Sequence, residues 1–325
     1  MAQDKLYGLD HLRAVAILLV LGFHYQLSIF AHPEWVNEFS KFGWTGVDLF
    51  FVLSGFLISS QLFYKIKNGN SISIKEFYFK RFFRIIPIYL LVVVIYFYFP
   101  FFREKEELPP IWKFLTFTQN FGLNLDKYGT FSHAWSLCVE EHFYFFLPLI
   151  LVLLKSTKHF KKSYLLLITL FLLGFVVRNF SWLHFVLPKI EGGNVFSYWA
   201  EYVYYPTYNR LDGLLVGVSV AAIYIYLPNF WNKISKSGNL FIIIGLIVLA
   251  GAYVVCYNLP SYSTAIFGFP LFSIGYGFIV LGAISPSSFL YKWNSKTTTF
   301  IATLSYAIYL THKGVIHMTQ HLLAN

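Results

Sequence analysis

Nine apolar windows recur along this chain, near 11–30, 43–63, 82–101, 134–154, 164–183, 211–227, 240–257, 264–284 and 300–322. Each has the about 17–25 residues an α-helix needs to cross a hydrocarbon core, where every backbone amide must be satisfied within the segment. A chain with so much of its length committed this way has no water-soluble fold open to it. Of the 325 residues 57% are hydrophobic and 12% charged, too little polar surface for a soluble domain of this size. The expectation is an all-α polytopic integral membrane helical bundle of about 9–10 transmembrane helices. The segment "IWKFLTFTQNFGL", 111–123, is short and suits an interfacial or re-entrant position. No linker is long enough for a second domain and no internal repeat is visible, so 1–325 reads as one transmembrane domain. The first window follows "MAQDKLYGLD" and carries Arg13 and His24, which marks a retained helix rather than a cleaved signal peptide.

The basic residues orient these windows. Lys65, Lys67, Lys75, Lys80, Arg81 and Arg84 lie between the second and third, against the single acid Glu76. Lys155, Lys158, Lys161 and Lys162 lie between the fourth and fifth, and later loops carry Lys233 with Lys236 and Lys292 with Lys296. All four loops fall on one side if the N-terminus is cytoplasmic. The formal charge of +10 is therefore a membrane-topology signal and does not point to nucleic acid. The opposite side receives 31–42, the acid-balanced "REKEELPP" and the aromatic-rich loop 184–209. Cys138 and Cys256 sit in apolar runs and form neither a disulfide framework nor a metal signature, so no metal is expected.

Ionisable residues inside spans are functional candidates by default, because burying them in lipid is costly. On the first span Arg13 and His24 are about 20° from eclipsed, with Asp10 about 40° away on the same stripe, and His24 lies roughly 16 Å outward of Arg13. A histidine so placed can also simply hydrogen-bond a neighbouring helix. On the second span Asp48, a further catalytic candidate, is near the outer end, where a carboxylate can also simply cap the helix. Ser54 is nearer the middle, and Gly46 and Gly55 permit close helix approach.

The fourth span, "WSLCVEEHFYFFLPLILVLL", places Glu140 and Glu141 about 9 Å below its outer end, close to the depth expected for His24. The two point about 100° apart, so at least one faces the bundle interior. His312 on the last span sits roughly 18 Å from its inner end. A carboxylate beside an imidazole can hold it in one tautomer, which is the arrangement of a general base acting on a hydroxyl. At the inner side Arg81 and Arg84 share a helix face at i, i+3, with Arg13 at similar depth. Snorkelling anchors would look similar, yet paired guanidiniums also make a phosphate site. Arg210 and Asp212 read as an ion pair at the membrane edge.

The blocks "LDHLRAVAILLVLGFH", "GVDLFFVLSGFLIS", "KRFFRIIPIY", "WSLCVEEHFYFFLP", "NRLDGLLVGV" and "LSYAIYLTH" resemble, in order, the signature blocks of the acyltransferase family 3 membrane proteins, from about residue 7 to about 313. The resemblance implies an enzyme of the bacterial cytoplasmic (inner) membrane. Such an enzyme moves an acyl group, commonly acetyl, from cytoplasmic acyl-CoA to a hydroxyl of an extracytoplasmic or membrane-associated glycan or lipid-linked acceptor. It carries the family's first-helix Arg and His onto Arg13 and His24, its donor-associated RxxR onto Arg81 and Arg84, its "SLxVEE" Glu onto Glu140 beside Glu141, and its "YLxH" His onto His312. On this reading His24 deprotonates the acceptor hydroxyl, Glu140 orients the imidazole or the acceptor, and the arginines hold the CoA phosphates. Many relatives continue with one more span and a soluble domain. The expectation here is a single domain that lacks that final helix and carries no fused soluble domain. The rival reading is an exporter of a glycan or small anion with an intramembrane proton relay, disfavoured by the lack of internal repeats.

Overall fold

In the computed structural model the described residues are 6–27, 34–157 and 160–323; the end of the first expected window, 28–30, and Lys158 lie outside them. Among the described residues each of the nine windows is a helix and there is no strand. The helices are α1 (Tyr7–Gln26), α2 (Gly46–Lys67), α3 (Ile74–Tyr98), α4 (Trp135–Ser156), α5 (Ser163–Ser181), α6 (Asp212–Tyr226), α7 (Gly238–Val255), α8 (Phe269–Ala283) and α9 (Lys296–Leu323). Seven are long and apolar enough to cross a membrane; α6 is shorter, at 15 residues, and α9 carries more polar side chains. The chain is a polytopic helical membrane protein.

The centre of the bundle is built on backbone contact. A Cβ at Gly55 of α2 would meet the Leu214 carbonyl of α6 at 2.2 Å, and one at Gly217 of α6 would meet the Val52 carbonyl at the same distance. Without a hydrophobic drive between helices in lipid, such close packing supplies the association. Gly46 does the same between α2 and α1, facing the Ala16 carbonyl, so these two helices run antiparallel in contact. Helix α9 packs on α1, and α8 lies buried against α2, α6 and α7. Helices α5 and α7 turn leucine, isoleucine and valine outward, among them Leu172, Val176, Ile243 and Ile247, as a lipid-facing surface requires.

The lysine-rich connections gather at one end. Lys67 donates to the Ile225 carbonyl and Lys155 to the Asn70 carbonyl, while Phe160 packs on Phe63 and Tyr226. His11, early in α1, donates to the Trp293 carbonyl, which ties the start of α9 to the same end. Ser73 caps α3 by accepting the Glu76 N–H at 3.2 Å, the pattern of a capping box, and so fixes where Arg81 and Arg84 enter the bundle.

The opposite end is folded, not looped. Residues 111–123 form a short helix, Ile111–Leu115, and then turn inward, burying Gln119 and Asn120. Gln119 donates to the Tyr89 hydroxyl and the Ala134 carbonyl, and Asn120 to the Tyr205 carbonyl and Thr207 Oγ1. Irregular backbone at this depth is tolerated because it is satisfied within protein. The expected loop 184–209 is instead a run of short helical turns, including Val195–Trp199 and a π-turn at Ala200–Tyr204.

Candidate functional site

Three histidines meet at the end opposite the lysines. His24 lies in the last turn of α1, His312 on α9, and His133 in the turn Ser132–Ala134 that leads into α4. The His24 and His312 rings are 4.7 Å apart, His133 and His312 4.6 Å, and His24 and His133 6.2 Å. Backbone carbonyls fix their tautomers, because a carbonyl can only accept. His24 Nδ1 is 2.9 Å from the Val20 carbonyl and His312 Nδ1 is 2.7 Å from the Tyr309 carbonyl, so both carry hydrogen on Nδ1. His312 Nε2, 3.2 Å from His24 Nδ1, then accepts a share of the same N–H. His133 donates from Nε2 to the Leu310 carbonyl at 3.2 Å, which leaves its Nδ1 as a buried acceptor without a partner among the described residues.

Among the described residues this assignment leaves the Nε2 lone pair of His24 uncommitted, and His24 lines a cavity of about 640 Å³. The rest of the wall is strongly aromatic, with Trp44, Trp135, Trp199, Tyr204 and Tyr205. The volume is that of a small-ligand site. His133 also lines it, as does Tyr309, whose hydroxyl donates to the His133 carbonyl at 2.7 Å and accepts from Ser136 at 2.6 Å. Beside them Lys313 is clamped, 2.8 Å from Glu104 and 3.1 Å from Ser132 Oγ.

Glu140 is not part of this cluster. Its oxygens accept from Ser54 at 2.9 Å and from Tyr144 at 3.0 Å, and the charges of Arg81 and Arg13 act on it. Arg81 in turn lies 4.5 Å from the Tyr144 ring. Among the described residues the Glu140 carboxylate is thus hydrogen-bonded by Ser54 and Tyr144 and not by the His24 ring. His133, seven residues earlier, occupies that level, about 10 Å of helix rise away. The cause is the inward-folded segment before α4: the chain is already buried at Thr130 and Ser132, so the start of the helix does not mark the edge of the membrane. Glu141 is half-buried and feels the charges of Glu140 and Arg81.

Asp48 is likewise set apart. It is buried and paired with Arg210 at 2.7 Å, while Arg178 pairs with Asp212 at 2.7 Å. The expected Arg210–Asp212 pair is thus replaced by two separate pairs, and Asp48 is held by Arg210 at the back of the cavity wall. The Arg210 guanidinium sits within 3.9 Å of the Phe269 ring centroid, 4.6 Å of Tyr204 and 5.1 Å of Trp135, a cage of rings that backs the cavity wall.

At the lysine-rich end a second cavity, of about 370 Å³, is lined by Arg81 and Arg84 together with Gln61, Lys65, Glu76 and Lys80. Lys65 and Lys80 are both occupied by Glu76. Arg13 lies within the electrostatic reach of Arg84, Asp10 and Glu140. Val47 lines the first cavity and Gln61 the second; fourteen residues of α2, about 21 Å, separate them. Ser54 and Glu140 stand between.

The polytopic bundle thus carries an imidazole at one cavity and paired arginines at the other. The chain belongs to acyltransferase family 3: residues 6–325 match the family described as an acyltransferase domain. It is 30% identical to the peptidoglycan O-acetyltransferase OatA of Listeria monocytogenes over 97% of this chain and 50% of that protein. It is also 30% identical to the O-acetyltransferase OatA of Staphylococcus aureus, over 95% of this chain and 50% of that protein. A putative O-acetyltransferase of Staphylococcus aureus is 28% identical over the same shares. The chain spans about half the length of these curated relatives. No solved structure matches it.

His133, Tyr144, Arg178, Tyr309 and Lys313 are the site and support residues that sequence reasoning missed. His133 lies one residue outside its window, and its signal was its position seven residues, two helical turns, before Glu140.

Proposed function

We propose that the chain is an O-acyltransferase of the bacterial cytoplasmic membrane, moving an acetyl group from acetyl-CoA to a hydroxyl of a peptidoglycan-type glycan. The observation that carries this reading is the His24 ring, held by Val20 with Nε2 uncommitted beside an aromatic-walled cavity. The acceptor sugar stacks in that cavity, at the extracytoplasmic end by the positive-inside rule. Its hydroxyl gives up its proton to His24 Nε2 as the oxygen attacks the thioester carbonyl. The C–O bond forms, the C–S bond breaks, and the departing sulfur takes the proton from the imidazolium. His312, accepting the Nδ1–H at 3.2 Å, shares the charge His24 acquires. Arg81 and Arg84 hold the phosphates of the donor at the cytoplasmic cavity, with Arg13 above them. Glu140, Ser54 and Tyr144 fix the arginine layer through which the pantetheine arm must pass.

The test is acetyl-CoA turnover by the protein in nanodiscs, with and without cell-wall glycan. Glycan-dependent CoA release should vanish in His24→Ala, and acetyl-CoA should bind more weakly to the Arg81→Gln/Arg84→Gln variant. Wild-type protein that neither binds nor turns over acetyl-CoA or longer acyl-CoAs would overturn the reading.

A further inference from the structure

The acceptor cavity has a charge asymmetry that the reaction itself does not require. Among the described residues no aspartate or glutamate lines it. The nearby carboxylates are silenced: Asp48 is buried against Arg210, and Glu104 is held by Lys313. Lys313 is thereby neutralised as well. Lys41 is different. It lines the cavity from the turn after Glu34–Ser40, its Nζ lies 3.9 Å from the Tyr257 ring centroid, and no carboxylate pairs with it among the described residues. A lone ammonium poised over an aromatic face, in a wall without compensating acid, favours a ligand that brings its own negative charge.

We infer that the acceptor is an anionic sugar, and that Lys41 selects it by pairing with a carboxylate on the ring while the aromatic wall takes the apolar face. The inference rests on the acceptor reading of this cavity and narrows it to one class of glycan. Lys41 lies on the wall with Phe42 and Tyr257, and His24 lines the same cavity, so one bound sugar can meet the cation and present a hydroxyl to the base.

The experiment titrates the full chain in nanodiscs with two ligands. One is an oligosaccharide carrying free sugar carboxylates; the other is the same oligosaccharide with those carboxylates converted to amides. Binding is followed by the fluorescence of Trp44, Trp135 and Trp199, which line the cavity. The free-carboxylate form should bind about tenfold more tightly at low salt, the increment of a charge-assisted contact, and the ratio should shrink at high salt. Lys41→Gln should bring the ratio to about one, and Lys41→Arg should preserve it. Equal affinity for the two forms in the wild type, no binding of either, or a ratio that survives Lys41→Gln would each overturn the inference. Acetyl transfer to the same ligands separates the two readings. Turnover with no preference leaves the transferase standing and removes the anionic acceptor. A binding preference without turnover of any acyl-CoA does the reverse.

Discussion

Removing one partner of the Asp48–Arg210 pair strips a charge of its counterion in a place water does not reach. The side chains are 2% and 1% exposed, and their contact is 2.7 Å. Breaking a buried pair this way costs about 3–5 kcal/mol, because the surviving charge keeps its desolvation penalty. Spread over the unfolding entropy of 325 residues, this lowers the melting temperature by about 4–7 °C. Asp48→Asn and Arg210→Gln should each show it, followed by intrinsic fluorescence during heating in detergent. The double variant should recover most of the loss, since two neutral amides leave no unpaired charge. The single variants should also weaken acceptor binding, because Tyr204 and Trp135 touch both the guanidinium and the cavity, while acyl-CoA affinity at the far end holds. An Asp48→Asn protein that melts with the wild type yet has lost turnover would refute this reasoning and return Asp48 to the chemistry.

Three further outcomes follow from the geometry. His24→Ala should lower glycan-dependent CoA release by about 10²–10⁴-fold, the worth of a positioned base, whereas His312→Ala should cost only about 2–15-fold, because Val20 still holds the His24 ring; equal losses would make His312 a base in its own right. Ser54→Ala and Tyr144→Phe each remove one hydrogen bond to Glu140, and a double-mutant cycle on thermal stability should show coupling of about 0.5–3 kcal/mol; strict additivity would mean the two do not act through the carboxylate. Gly55→Ala should cost about 1–3 kcal/mol by forcing α2 from α6, while Gly251→Ala, which meets nothing within 4 Å, should be neutral or mildly stabilising in the same assay.

The nine helices were legible because lipid leaves the backbone no alternative, so a window of the right length is nearly a structure. The glycine contacts were legible for a related reason: Gly46 and Gly55 stand where only a missing side chain lets helices touch. Depth was not. Counting rise from the start of the apolar run at Trp135 assumes that the chain enters the membrane there, and the inward-folded segment 116–134 breaks that assumption. The pairing of charges was hidden for another reason. Arg210 and Asp212 are neighbours in sequence, yet Arg210 reaches α2 and Asp212 reaches α5, and only the packing of three helices decides that. His24 and His312, which the structure brings together, stand out in the sequence because intramembrane histidines are rare; His133 does not, one residue beyond its window.

The carbonyl-held histidines also bear on ion leakage. A proton wire needs each imidazole to receive hydrogen on one nitrogen and release it from the other to a group able to carry it onward. His312 could receive a proton from His24, but its own Nδ1–H points at the Tyr309 carbonyl, and His133 points its hydrogen at the Leu310 carbonyl. Peptide oxygens do not pass protons on. Each branch therefore ends in the backbone. In this arrangement the cluster is suited to hold a proton for the length of a chemical step, because neither backbone-held N–H offers it an onward hydrogen bond along the bundle.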